Sequence, residues 1–165
     1  MKFLLDTNVF IEAKNRYYAF DICPGFWEWM DDVCGSDMGS TVNVCDELTG
    51  AKDELAQWAN DRKDAGWFLD VDDADTQQRY ADIANHVVTA NHFTESAIEK
   101  FLNDADSWLI AKASAIGATV VTHELPNPQS KKRVMIPDVC DAFSVNYLNT
   151  FEALREFSAK FGWVK

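Results

Sequence analysis

The chain has no apolar run approaching the ~20 residues needed to cross a bilayer. Its first residues carry one Lys and then Asp6, which is not the pattern of a secretory signal. Its four cysteines, Cys23, Cys34, Cys45 and Cys140, are scattered and form no C-x-x-C pair. That pattern disfavours a zinc site or a disulfide framework and suits reduced thiols in a cytoplasmic protein. Positive charge is also scarce: 15 Lys and Arg stand against 27 Asp and Glu, for a net charge of −12. A nonspecific nucleic-acid coat needs basic residues to displace counterions, so that class is disfavoured. Of the three histidines, His86 and His92 are six residues apart and do not share a helix face, which argues against a histidine metal pair.

What remains is a folded chain. It has 165 residues, 47% of them hydrophobic, with 21 aromatics, enough for one domain over 1–165 with a full core. The charge is uneven. Residues 126–165 hold six Lys/Arg against four acids, so this tail is net +2 and the remainder −14. Such an excess suits a concentrated acidic site.

Phe3-Leu4-Leu5 reads as a buried strand, broken by the polar triplet Asp6-Thr7-Asn8. Val9, Phe10, Ile11 and Ala13 then restart an apolar pattern that suits a packed helix. A strand, a sharp polar turn and a helix make half a βαβ unit, and ligands in open α/β sheets sit outside the carboxyl ends of the strands. Asp6 stands there; its bland alternative is a helix cap. Residues 17–30 are unusually aromatic, with Pro24-Gly25 suggesting a helix start. They read either as a core or as a base-stacking or partner surface.

Gly35 to Gly39 reads as a loop, with Ser40 capping a helix from Thr41 to Leu48. A further helix is expected over 53–63, and a short strand at Trp67-Phe68-Leu69. Asp70, Asp72, Asp73 and Asp75 lack the Gly and Glu an EF-hand loop requires, since Asp75 and Ala81 occupy those positions. They read as a solvated loop before a helix over Thr76–Asn91. Thr94 caps the next turn, and Ser107 to Gly117, apolar almost all round, reads as a central helix ended by Gly117. Ala118 to Val121 is a strong strand closed by Thr122-His123-Glu124. Val134-Met135-Ile136 reads as a short edge strand ended by Pro137. Asp138 to Phe143 fits a helical turn, Val145 to Leu148 a last strand, and Thr150 to Phe161 a final helix.

Four acids stand at element junctions or beside apolar core segments: Asp6, Glu47, Asp106 and Glu124. Carboxylates brought together repel unless a cation compensates them. Hard oxygens without His or Cys suit Mg²⁺ or Mn²⁺, which can activate a water and clamp a phosphate. The chemistry implied is metal-assisted phosphodiester hydrolysis.

Leu4 to Ile11, then Ser40…Val44…Glu47-Leu48, then Asp106…Leu109-Ile110-Ala111…Ala113, then Val120 to Glu124, in that order and spacing, resemble the PIN domain. The resemblance implies a three-layer α/β/α sandwich around a doubly wound parallel sheet of four to five strands. It implies an Mg²⁺- or Mn²⁺-dependent endoribonuclease, often the VapC-type toxin of a toxin–antitoxin pair, with RNA as substrate, an antitoxin as partner and often a homodimer. Asp6, Glu47 and Asp106 match the three core metal-binding acids; Glu124 matches a fourth that is usually Asp. Asp104 is the rival of Asp106. Thr7, Asn8 and Thr122 are candidates to position waters or a carboxylate. Lys14, Arg16, Lys131, Lys132 and Arg133 are candidates to guide an RNA backbone, against a bland reading as surface charge. His123 is either a phosphate contact or a solvated loop residue. An aspartyl-phosphate phosphatase would need an acid two residues after Asp6, where Asn8 stands. The remaining rival is a non-catalytic PIN-like module that works through protein partners.

Overall fold

The computed structural model describes residues 1–162; the expected domain runs on to residue 165, and its last three residues lie outside the described residues. Five short strands form one parallel sheet in the order β3-β2-β1-β4-β5. They are β1 (Phe3–Leu5), β2 (Met38–Thr41), β3 (Phe68–Leu69), β4 (Thr119–Val121) and β5 (Tyr147–Leu148). The chain winds outward from β1 to β3, then returns to start the other half at β4. With helices covering both faces this is the three-layer α/β/α sandwich expected. The reversal leaves a crevice between β1 and β4, where Leu5 pairs with Val121.

Asp6 ends β1, and α1 (Thr7–Glu12) begins at once, followed by a π-helical turn over Ala13–Tyr17. Next comes α2 (Pro24–Val33), opened by Pro24 as the Pro-Gly pair suggested. Apart from exposed Tyr17, the aromatics of this region lie in the core or pack against it. Tyr18 stacks on Phe26 at 4.2 Å and Phe20 on Trp27 at 4.1 Å, and Trp27 meets Trp58 at 4.8 Å. Phe26, Trp27 and Met30 are buried, so they present no platform for bases.

The expected loop holds only over residues 35–37; its last two residues, Met38 and Gly39, with Ser40 and Thr41, form strand β2 in place of a Ser40 cap, and α3 (Val42–Thr49) starts one residue later than expected. Met-Gly-Ser-Thr has no β-branched apolar run, so local propensity hides the strand. Tertiary fit explains it. A Cβ at residue 39 would lie 2.5 Å from the Trp67 carbonyl oxygen, so glycine lets β3 approach, and the Ser40 hydroxyl donates to the Leu5 carbonyl.

After β2 and α3 come α4 (Glu54–Asn60), α5 (Ala74–Thr89) and α6 (Glu95–Asn103), capped by Asp53, Asp73 and Thr94 respectively. The central helix is α7 (Ala105–Ile116). It packs against α5, α3, α6 and three strands of the sheet, which is why it is apolar on nearly every side. Leu109 and Ile110 are fully buried, each stabilising by about 1.5–3 kcal/mol. Gly117 ends α7 in the left-handed conformation, φ 69°.

The expected edge strand Val134-Met135-Ile136 is absent. Ile136 instead opens α8 (Ile136–Ala142), with Pro137 in its first turn, a position that suits proline's fixed φ. The final helix, α9 (Thr150–Glu156), is shorter than expected and begins with a capping box between Asn149 and Glu152. Among the described residues no helix is long and apolar enough to cross a membrane.

Candidate metal centre

Asp6 is fully buried at the end of the central strand. Its backbone N–H donates to the Val121 carbonyl at 3.0 Å, which seats it on the β1–β4 seam. The Thr122 hydroxyl donates to one carboxylate oxygen at 3.0 Å, and the Asn8 N–H reaches the other at 3.4 Å. The cap reading of Asp6 is therefore real but weak; the stronger bond comes from across the sheet. Burial foremost pushes Asp6 up to about 6, and the charges of Glu124 and Glu47 add to the rise against its hydrogen bonds.

Asp106 sits in the first turn of α7. Among the described residues no hydrogen bond reaches its carboxylate. Burial, and then the charges of Asp6, Glu124, Glu47 and Asp104, push it up to about 8. Without a cation, the repulsion is relieved by a proton that Asp106 holds up to about pH 8.

The other acids differ. Glu47 projects from α3 at the rim, where one oxygen accepts from the Thr7 hydroxyl and the other from the Ala105 N–H at 2.8 Å. Asp104 precedes α7 without a side-chain cap bond and lines the cleft beside Asp106. Glu124 is bonded at both oxygens: Arg133 donates to one and the Ile136 N–H to the other at 2.7 Å. Thr122 links the two sides, since its hydroxyl also accepts from the Glu124 N–H at 3.1 Å.

Asp106, Asp104, Glu47, Thr7 and Asn8 line a cleft of about 480 Å³. Lys100, Lys132 and Arg133 line the same cleft. Lys100 did not emerge from sequence; its signal was a single Lys in the last turn of a capped helix. Three other basic candidates are used elsewhere. Lys14 pairs with Asp53 at 2.6 Å, and Arg16 with Glu12 at 2.7 Å, four residues apart on the same helical stretch. His123 shares a hydrogen bond with Thr150 at 2.8 Å and packs near Phe151, and burial lowers its pKa. Lys131 contributes its carbonyl to the Thr94 N–H and does not line the cleft.

The donor set fits a hard divalent cation. Among the described residues no three acid, His or Cys side chains stand together at metal-binding spacing. Mg²⁺, however, is ordinarily held by one or two carboxylates plus several waters, and buried Asp6 and half-buried Asp106, both with raised pKa values, are the two acids that would offer such a core.

An all-parallel sheet with acids at its reversal defines an open, doubly wound α/β protein. Within that fold the chain belongs to the family described as Domain of unknown function (DUF4411), whose model matches residues 3–161. Among solved structures it is similar to FitAcB from Neisseria gonorrhoeae, at 21% identity, 90% of this chain, 98% of the other and a TM-score of 0.54. It is also similar to VapBC2 from Rickettsia felis, solved bound to a DNA fragment from their promoter, at 14% identity with the same coverages and TM-score. At these identities the likeness is one of fold. No curated protein matches the sequence.

Proposed function

We propose that the protein is an Mg²⁺- or Mn²⁺-dependent endoribonuclease. The observation that carries this reading is the mutually repelling pair of Asp6, fully buried, and Asp106, half-buried and lining a cleft that Lys100, Lys132 and Arg133 also line. Asp6 and Asp106 would hold the ion, with Glu47 at the rim and Asp104 beside Asp106. A divalent ion bound there supplies charge neutralisation and an activated water for phosphodiester hydrolysis. Thr122 orients Asp6, and Thr7 holds Glu47 near the head of α7. Asn8 lines the cleft and can donate to a phosphate oxygen. Lys132 and Arg133 offset the negative charge that would otherwise repel RNA.

The test is cleavage of labelled single-stranded RNA with Mg²⁺ or Mn²⁺ against EDTA, beside Asp6→Asn and Asp106→Asn. Metal-dependent cleavage lost in both variants supports the reading; cleavage retained in both sinks it. Neither cleavage nor metal binding would favour the non-catalytic partner-binding module. A protein antitoxin and a homodimer belong to the same proposal, and co-purification with the neighbouring gene product and light scattering test them. A cytoplasmic location is part of the proposal too, and fractionation of cells checks it.

A further inference from the structure

Glu124 stands where a fourth metal-binding acid is expected, yet its surroundings suit a different task. We propose that Glu124 is a positioning residue that holds Arg133 at the cleft as a phosphate clamp for single-stranded RNA; this rests on the ribonuclease reading. The Glu124 side chain is 6% exposed, and both of its oxygens are engaged, by the Arg133 guanidinium and the Ile136 N–H. The Arg133 side chain is 56% exposed, so donors remain free of the ion pair. Ser130 pins the same loop: its hydroxyl donates to the Arg133 carbonyl at 2.7 Å and accepts from the Arg133 N–H. The loop thereby sets Lys132 and Arg133 in the wall that Lys100 of α6 also lines. A planar guanidinium braced by a carboxylate is preorganised for a phosphate oxygen.

The experiment compares wild type, Glu124→Gln, Arg133→Ala, the double variant and Lys100→Ala. The probes are a labelled single-stranded oligoribonucleotide in EDTA and Mn²⁺ alone by calorimetry. Gln keeps an acceptor for the Ile136 N–H but loses the ion pair. Glu124→Gln and Arg133→Ala should each weaken oligonucleotide binding several-fold, and the double variant no further. Arg133→Ala and Lys100→Ala should each reduce the salt slope by roughly one. In cleavage assays Glu124→Gln should raise KM more than it lowers kcat, and Mn²⁺ affinity should hold. Arg133→Lys should restore part of the binding lost in Arg133→Ala. Weakened Mn²⁺ binding in Glu124→Gln with oligonucleotide binding unchanged would overturn the proposal and make Glu124 a ligand. Wild-type protein that does not bind the oligonucleotide at low salt would overturn it as well. Clamp-dependent binding without metal-dependent cleavage would support the clamp and count against the ribonuclease.

Discussion

Two sets of aspartates show opposite uses of one side chain. Asp53 and Asp73 lie at the starts of α4 and α5, exposed, each capping its helix and paired with Lys14 or Lys112. Their surroundings favour the charge: the lysine bond first, then the capped N–H groups, hold both pKa values down. Asp6 and Asp106 lie at the sheet's reversal, where burial and neighbouring acids hold their pKa values up. The first pair is compensated within the protein, and the second is left for something else to compensate. Charge state, rather than residue type, separates structural acids from candidate ligands.

The sharpest break of this comparison is chemical. Asp6→Asn or Asp106→Asn should lower metal-dependent RNA cleavage at least about a hundredfold with the fold retained by circular dichroism. Next in size is the effect of the ion on stability. Mg²⁺ at a hundred times its Kd should add about 2.7 kcal/mol to wild type, read as a rise in Tm, and much less to Asp106→Asn.

The two sets also predict opposite pH dependence in the metal-free protein. Folded Asp106 keeps a proton that the unfolded chain releases above 3.8, so stability should fall as pH rises from there to about 8. Asp106→Asn should flatten that decline and be more stable than wild type at pH 8 by about 1 kcal/mol or more, measured by urea titration. Asp73 runs the other way. Its pKa is lowered, so its contribution is present above 3.8 and lost as pH falls, and Asp73→Asn should remove that acid-side loss. The smallest effect is at α4: Asp53→Ala should cost about 1 kcal/mol through the lost cap and leave cleavage and Mn²⁺ affinity unchanged.

Legibility followed locality. Strand β1, the turn at Asp6 and the cap at Thr94 carry short-range signals and stand where the sequence placed them, and the apolar helix α7 starts two residues earlier than expected. Strand β2 does not, because Gly39 and Ser40 owe their place to β1 and β3 on either side. The start of α8 was misread as a strand because Val134-Met135-Ile136 has strand composition, while the Ile136 N–H is taken by Glu124, twelve residues earlier. Among the basic candidates, spacing could not separate Lys14, which meets Asp53, from Lys132, which reaches the cleft.

By itself the sequence determined the class of fold and singled out Asp6, Glu47, Asp106 and Glu124 as candidate acids. Strand alternation, helix periodicity and turn residues are written within a few positions of one another, so they can be read along the chain. Tertiary structure alone decided which acids stay uncompensated. That depends on where Thr7, Thr122, Arg133 and the N–H groups of Ala105 and Ile136 come to rest, and each stands far along the chain or across the sheet from the carboxylate it meets. Burial and charge proximity are three-dimensional quantities, and they make Asp106 a candidate ligand and Asp73 a helix cap.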